Sequence, residues 1–133
     1  MNENYTILIV DDDAEDRGFM LEAMKELGAA DLIGFAEDGE KALTILQRRA
    51  KQGNLPKLVV MDLNMPKLNG TQTIELLKQD VELAQIPVMI LSTSINRFEQ
   101  EKALSLGVHS YLIKPFTFLE AIETARGFIG FVS

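Results

Sequence analysis

The chain has 133 residues, 47% of them apolar and 25% charged, with 13 basic against 20 acidic side chains and a net charge of −7. That length fits one domain of ordinary size, and the balance is that of a globular protein rather than a disordered one. No cysteine is present, which excludes disulfides, thiolate metal sites and thiol nucleophiles. The acidic average repels a phosphate backbone, so no nucleic-acid partner is expected. The densest basic cluster, Gln47-Arg48-Arg49-Ala50-Lys51, merely ends a helical pattern. Met1-Asn2-Glu3-Asn4 has no basic n-region, and the longest apolar runs are four or five residues. Neither a signal peptide nor a membrane span is expected, and the cytoplasm is the expected setting.

Short apolar runs recur along the chain: Ile7-Leu8-Ile9-Val10, Leu32-Ile33-Gly34-Phe35-Ala36, Leu58-Val59-Val60-Met61, Val88-Met89-Ile90-Leu91 and Tyr111-Leu112-Ile113. They are continuous rather than alternating, as in strands covered on both faces. Gly34 makes the second the weakest. Helical spacing fills the gaps. Phe19, Met20, Met24 and Leu27 mark a first helix that Gly28 would stop. Ala42, Leu43, Leu46 and Ala50 mark a second, and Ile74, Leu77 and Val81 a third. A polar connection from about Lys51 to Lys57, with Gly53 and Pro56, reads as a surface loop. The fourth helix starts at Asn96, a cap with Glu99 three residues on, and Gly107 ends it. The fifth starts at Thr117 and Glu120, a capping-box spacing, and carries Leu119, Ile122, Ala125, Phe128 and Ile129. The alternation predicts a (βα)5, doubly wound parallel sheet with helices on both faces, in a single domain over residues 1–133.

Ligands of such sheets bind beyond the carboxyl ends of the strands. There the chain places Asp11-Asp12-Asp13 after the first run, Asp62 after the third, Ser92-Thr93 after the fourth and Lys114-Pro115 after the fifth. Clustered carboxylates repel one another unless a cation sits among them. Oxygen ligands without His or Cys suit Mg²⁺. A lysine and a hydroxyl opposite the metal would neutralise a phosphoryl group, and a carboxylate can be the nucleophile that accepts one. Taken singly, each residue has an ordinary explanation. Asp13 can cap a helix, Asp62 can sit in a turn before Pro66 and Gly70, Lys114 can be a solvated charge, Ser92 a helix-start hydroxyl and Tyr111 a strand aromatic. Their joint placement at strand ends favours a Mg²⁺-dependent phosphoryl site on an aspartate.

Val10-Asp11-Asp12, Met61-Asp62-Leu63-Asn64-Met65-Pro66 with Gly70, Ser92, and Tyr111-Leu112-Ile113-Lys114-Pro115-Phe116 occur in that order, each after a strand pattern. On these residues the chain resembles a response-regulator receiver domain of the CheY-like, stand-alone type. The resemblance implies a strand order of 2-1-3-4-5 and no attached output domain. It implies that Asp62 accepts a phosphoryl group from a histidine kinase or phosphotransfer partner. Asp12, Asp62 and the Asn64 backbone carbonyl would ligate Mg²⁺, with Asp11 acting mainly through water. Lys114 would pair with the acyl phosphate across a cis Lys114-Pro115 bond, and Ser92 would bond the phosphoryl oxygen. Tyr111 would turn inward and couple the site to a downstream protein target at the helix four, strand five and helix five surface, with a homodimer as a further possibility. Ser92 stands where many relatives carry threonine, Asp13 adds a third acid, and Ser94 is not the acidic or bulky residue often found there. The resemblance implies that the positions of Asn64 and Ser94 tune dephosphorylation. The long loop before strand three resembles single-domain regulators that partner bacterial phytochromes.

Other readings make different demands. A haloacid-dehalogenase-type phosphatase would use Asp11-Asp12-Asp13 but needs a late acidic pair, and only Glu120 and Glu123 follow Lys114. A pseudo-receiver would lack some of the acids, hydroxyl and lysine. A flavodoxin-like binder needs a Ser-, Thr- or Gly-rich phosphate loop after strand one. No turnover enzyme is expected, and His109, the single histidine, is assigned no role. Phe128, Ile129, Phe131 and Val132 fit either core packing or an exposed partner face.

Overall fold

Residues 4–65 and 67–133 are described by the computed structural model. Met1, Asn2 and Glu3, read above for a leader, and Pro66 of the Asp62 motif lie outside the described residues. The elements run β1 (Ile7–Val10), α1 (Ala14–Glu26), β2 (Ile33–Ala36), α2 (Gly39–Lys51), β3 (Leu58–Met61), α3 (Gly70–Gln79), β4 (Val88–Ser92), α4 (Arg97–Leu104), β5 (Ser110–Ile113) and α5 (Phe118–Val132). The five strands pair in parallel in the order β2-β1-β3-β4-β5. This is the doubly wound sheet expected from the sequence.

Side chains of a strand alternate between its faces, and that period divides the core in two. Leu8, Val10, Val59, Met61, Val88 and Ile90 meet Ala42 and Leu46 of α2, Ile74 and Leu77 of α3, and Ala103 of α4. Ile7, Ile9, Leu58, Val60, Met89 and Leu91 meet Met20, Ala23 and Met24 of α1 and Ala121, Ala125, Phe128 and Val132 of α5. Phe128 and Val132 are therefore core residues, while Ile129 and Phe131 pack partly buried against the same layer. Central strands β1, β3 and β4 are buried throughout, whereas β5, at one edge, is half-exposed. Among the described residues no helix is long and apolar enough to cross a membrane.

The caps fall where the side-chain chemistry puts them. Asp13, Asn96 and Thr117 accept from backbone amides of α1, α4 and α5, and Thr117 and Glu120 complete a capping box. Two readings need correction. Leu32 belongs to a 3-10 turn (Ala30–Leu32) ahead of β2. Val81 lies past the end of α3 and is 82% exposed. Asp80 stops that helix because its carboxylate accepts from the amides of Glu82 and Leu83, starting a new turn that buries Leu83 instead.

The loop before β3 is also more tightly held than its polarity suggests. Arg49 is almost fully buried; its Nε donates to the Asn54 carbonyl at 2.7 Å and its Nη2 to the Tyr5 carbonyl at 2.9 Å. Its guanidinium lies 4.6 Å from the centre of the Tyr5 ring. A Cβ at position 34 would collide with that ring, so Gly34, the residue that weakens the β2 pattern, makes room for it.

Candidate functional site

Four strands deliver the predicted residues to one edge. The Asp11 amide donates to the Ala36 carbonyl and the Asp62 amide to the Val10 carbonyl, so both residues extend the β1 ladder by one step. The Lys114 amide does the same to the Ser92 carbonyl, at 2.9 Å. Gly70 closes against the Asp62 turn: its amide donates to the Leu63 carbonyl, and a Cβ there would collide with the Asp62 carbonyl oxygen. Only glycine allows that approach.

Asp11 and Asp62 are 4% and 5% exposed, and Asp12 is exposed. One carboxylate oxygen from each lies within 4.8 Å of the other two. A hard cation with ligands at about 2.0–2.6 Å spans oxygens that close, so the donor set fits a divalent ion of the Mg²⁺ or Mn²⁺ type. Asp13 stands apart from this group. Its Oδ1 takes the amides of Glu15 and Asp16 at 2.8 and 3.2 Å, which commits it to capping α1. The Asn64 amide donates to Asp62 Oδ1 at 3.3 Å.

Lys114 reaches into the same cluster. Its Nζ lies 2.7 Å from Asp16, 3.0 Å from Asp11 and 3.4 Å from Asp62. The Lys114-Pro115 bond is trans, contrary to expectation, since no described peptide is cis. The lysine is aimed instead by the β5 ladder behind it and by the carboxylates in front. Burial pushes the Asp62 carboxyl up to about 6, with the Lys114 charge pulling it down and the Asp11 charge adding to the rise. Burial also raises Asp11, against its hydrogen bonds from the Asp13 amide and Lys114. For Lys114, burial works to lower the pKa, but hydrogen bonds to Asp16 and Asp11 and the Asp11 and Asp62 charges outweigh it and hold the ammonium above its usual value. The arrangement is thus a buried carboxylate, unfavourably charged, between a lysine and two further acids.

Comparison with known proteins agrees with this geometry. Residues 7–126 match the response regulator receiver domain family. The chain belongs to that family. A probable methanogenesis regulatory protein, FilR2 of Methanothrix harundinacea, is 35% identical over 123 residues, covering 92% of this chain and 79% of that one. The phosphorylated cyanobacterial phytochrome response regulator RcpA superposes with a TM-score of 0.82 at 28% identity, over 95% of this chain and 91% of that one. The Mn²⁺-bound form of response regulator Rcp1 gives 0.78 at 30% identity, over 94% and 91%. Receiver domains of two-component signalling are in general switch domains rather than enzymes; they bind Mg²⁺ or Mn²⁺ at an acidic pocket and meet histidine kinases or phosphotransfer proteins and downstream targets.

In this receiver the hydroxyl and the aromatic are joined through Ser94. Ser92 is fully buried, and its Oγ accepts from the Ser94 amide at 3.2 Å. The Ser94 carbonyl accepts from the Tyr111 hydroxyl at 3.0 Å, and the Ser94 hydroxyl donates to Glu99 of α4. Two site residues escaped the sequence reading. Arg17 donates from Nη1 to the Asp11 carbonyl at 2.7 Å, and Asp16 takes the shortest contact of Lys114. Asp16 lies three residues past the cap, where a capping box would return an acid to the cap amide, but its carboxylate turns to the lysine. The spacing was visible; the choice between those two partners was not.

Proposed function

We propose that this receiver is a phosphorylation-operated binding module, with Asp62 as the phosphoacceptor. The observation that carries the reading is Asp62, 5% exposed, with Lys114 Nζ at 3.4 Å from its carboxylate and one oxygen each of Asp11 and Asp12 within 4.8 Å. An Asp62 oxygen attacks the phosphorus of a phosphohistidine on a kinase or phosphotransfer partner. The P–O bond forms, the P–N bond breaks, and the imidazole leaves with its electron pair. Asp12, Asp62 and the Asn64 carbonyl would hold Mg²⁺ directly and Asp11 through water. When bound, that ion neutralises phosphoryl oxygens and screens the acids. Lys114 offsets the charge added at Asp62, and the Ser92 hydroxyl gives up the Ser94 amide to bond the phosphoryl oxygen.

The bistable element is the segment from Ser92 to Glu99. Moving the Ser92 hydroxyl frees the Ser94 peptide, and with it the Tyr111 hydroxyl. The surface so switched is the face of α4, β5 and α5. Ile95, Phe98, Ile113, Phe116 and Leu119 are exposed there, suited to a downstream protein or a second copy. Two observations speak against the phosphatase reading. Glu120 is spent on capping α5 through the Phe116 and Thr117 amides, and Glu123 pairs with Arg126 at the surface. The domain acts as a cytoplasmic switch without turnover of small phosphate esters. The test is a beryllofluoride and Mg²⁺ titration followed by amide NMR. Shifts at Ser92, Ser94 and Tyr111 are expected in the wild type and absent in Asp62→Asn; an unresponsive wild type overturns the proposal.

A further inference from the structure

Lys114 Nζ carries three hydrogens, and three carboxylates surround it. Its closest partner is Asp16 on α1, at 2.7 Å; its most distant is Asp62, at 3.4 Å. Asp16 takes the shortest hydrogen bond of the ammonium, so an incoming phosphoryl oxygen competes with that acid for the lysine. We propose that Asp16 is a positioning residue that holds Lys114 in the resting state and is the partner Lys114 releases when a phosphoryl group arrives on Asp62. The inference rests on the phosphoacceptor reading above and adds the residue that competes for its lysine.

Burial decides which acid is released. The Asp11 side chain is 5% exposed, so letting it go would leave a buried anion short of its cation, which is costly. The Asp16 side chain is 42% exposed and can turn to water at little cost. Asp16 is also outside the trio whose oxygens converge, so its role separates from metal binding. Two consequences follow. Removing the Asp16 charge frees one lysine donor and lessens repulsion of an incoming anion, so the site should take a phosphoryl mimic more tightly. Because the acid stands in the first turn of α1, its release also loosens a tie between that helix and β5.

The experiment titrates beryllofluoride, standing in for the phosphoryl group, at saturating Mg²⁺ into wild type, Asp16→Asn and Glu15→Gln, read by amide NMR. Glu15 is the neighbouring exposed acid of the same helical turn and has no contact with Lys114. Asp16→Asn is expected to bind about two- to tenfold more tightly than wild type, as befits loss of a half-exposed charge pair. Its Mg²⁺ affinity should stay within about twofold of wild type, and Glu15→Gln should show less than half the gain. A responsive wild type with no gain in Asp16→Asn, or an equal gain in Glu15→Gln, overturns the inference alone. A wild type that binds no beryllofluoride overturns the phosphoacceptor reading and this inference with it.

Discussion

Replacing Asp62 should make the metal-free protein more stable. The Asp62 carboxyl is raised from 3.8 to about 6 in the folded chain, chiefly by burial. A group whose folded pKa is raised is more easily protonated when folded. The folded state therefore binds more protons than the unfolded one between those values, and stability falls as pH rises across that window. Above it the cost is fully present. A shift of about two units corresponds to roughly 3 kcal/mol at most, and relaxation around the half-screened site brings the expected figure to about 1–3 kcal/mol. Asp62→Asn removes that cost and keeps the side chain's volume. In chelator at pH 8 its Tm should exceed that of wild type by roughly 4–10 °C, and the gap should close toward pH 4. Added Mg²⁺ should reverse the order of gain. Wild type rises by about 2.7 kcal/mol at a hundred times the dissociation constant, while the variant rises little. A variant no more stable than wild type at pH 8, or a gap that does not depend on pH, would refute the reasoning.

Three further substitutions probe separate parts of the account. Gly70→Ala forces a methyl against the Asp62 carbonyl, so it should lose about 1–3 kcal/mol by denaturant melt and weaken Mg²⁺ binding by calorimetry. Arg49→Met keeps the buried stem but strips the Tyr5 and Asn54 carbonyls of their donor; a loss of about 2–4 kcal/mol is expected, with the beryllofluoride response intact. Tyr111→Phe removes the bond to the Ser94 carbonyl. It should cost about 0.5–1.5 kcal/mol and shift the Ser94 and Ile95 amides in the resting state, with Mg²⁺ affinity unchanged.

Much of this was readable before any coordinates. Continuous apolar runs follow from strands covered on both faces, and β1, β3 and β4 have that burial. Asp13 and Thr117 cap helices because local side-chain-to-backbone bonds need only spacing. The placement of Asp11, Asp62, Ser92 and Lys114 was equally legible, since each lies at or just past the end of a strand and parallel strands end at one edge. What the pattern misses is which of several available partners a polar side chain takes. Val81 fits a helical period, but Asp80 captures the next two amides and ends the helix. Arg49 sits in the basic cluster that ends the second helical pattern, and carbonyls at Tyr5 and Asn54 draw it inside. The partner of Lys114 at position 16 lies 98 residues away, and no periodicity encodes such a contact.

The central claim is that one buried carboxylate, Asp62, takes up phosphorus. The most direct measurement is intact-protein mass spectrometry after incubation with acetyl phosphate and Mg²⁺, followed by reductive trapping and peptide mapping. The account predicts a single phosphoryl adduct located at Asp62, not formed when chelator replaces Mg²⁺ in the incubation and absent from Asp62→Asn. No adduct on the wild type, or an adduct that persists in Asp62→Asn, would contradict it.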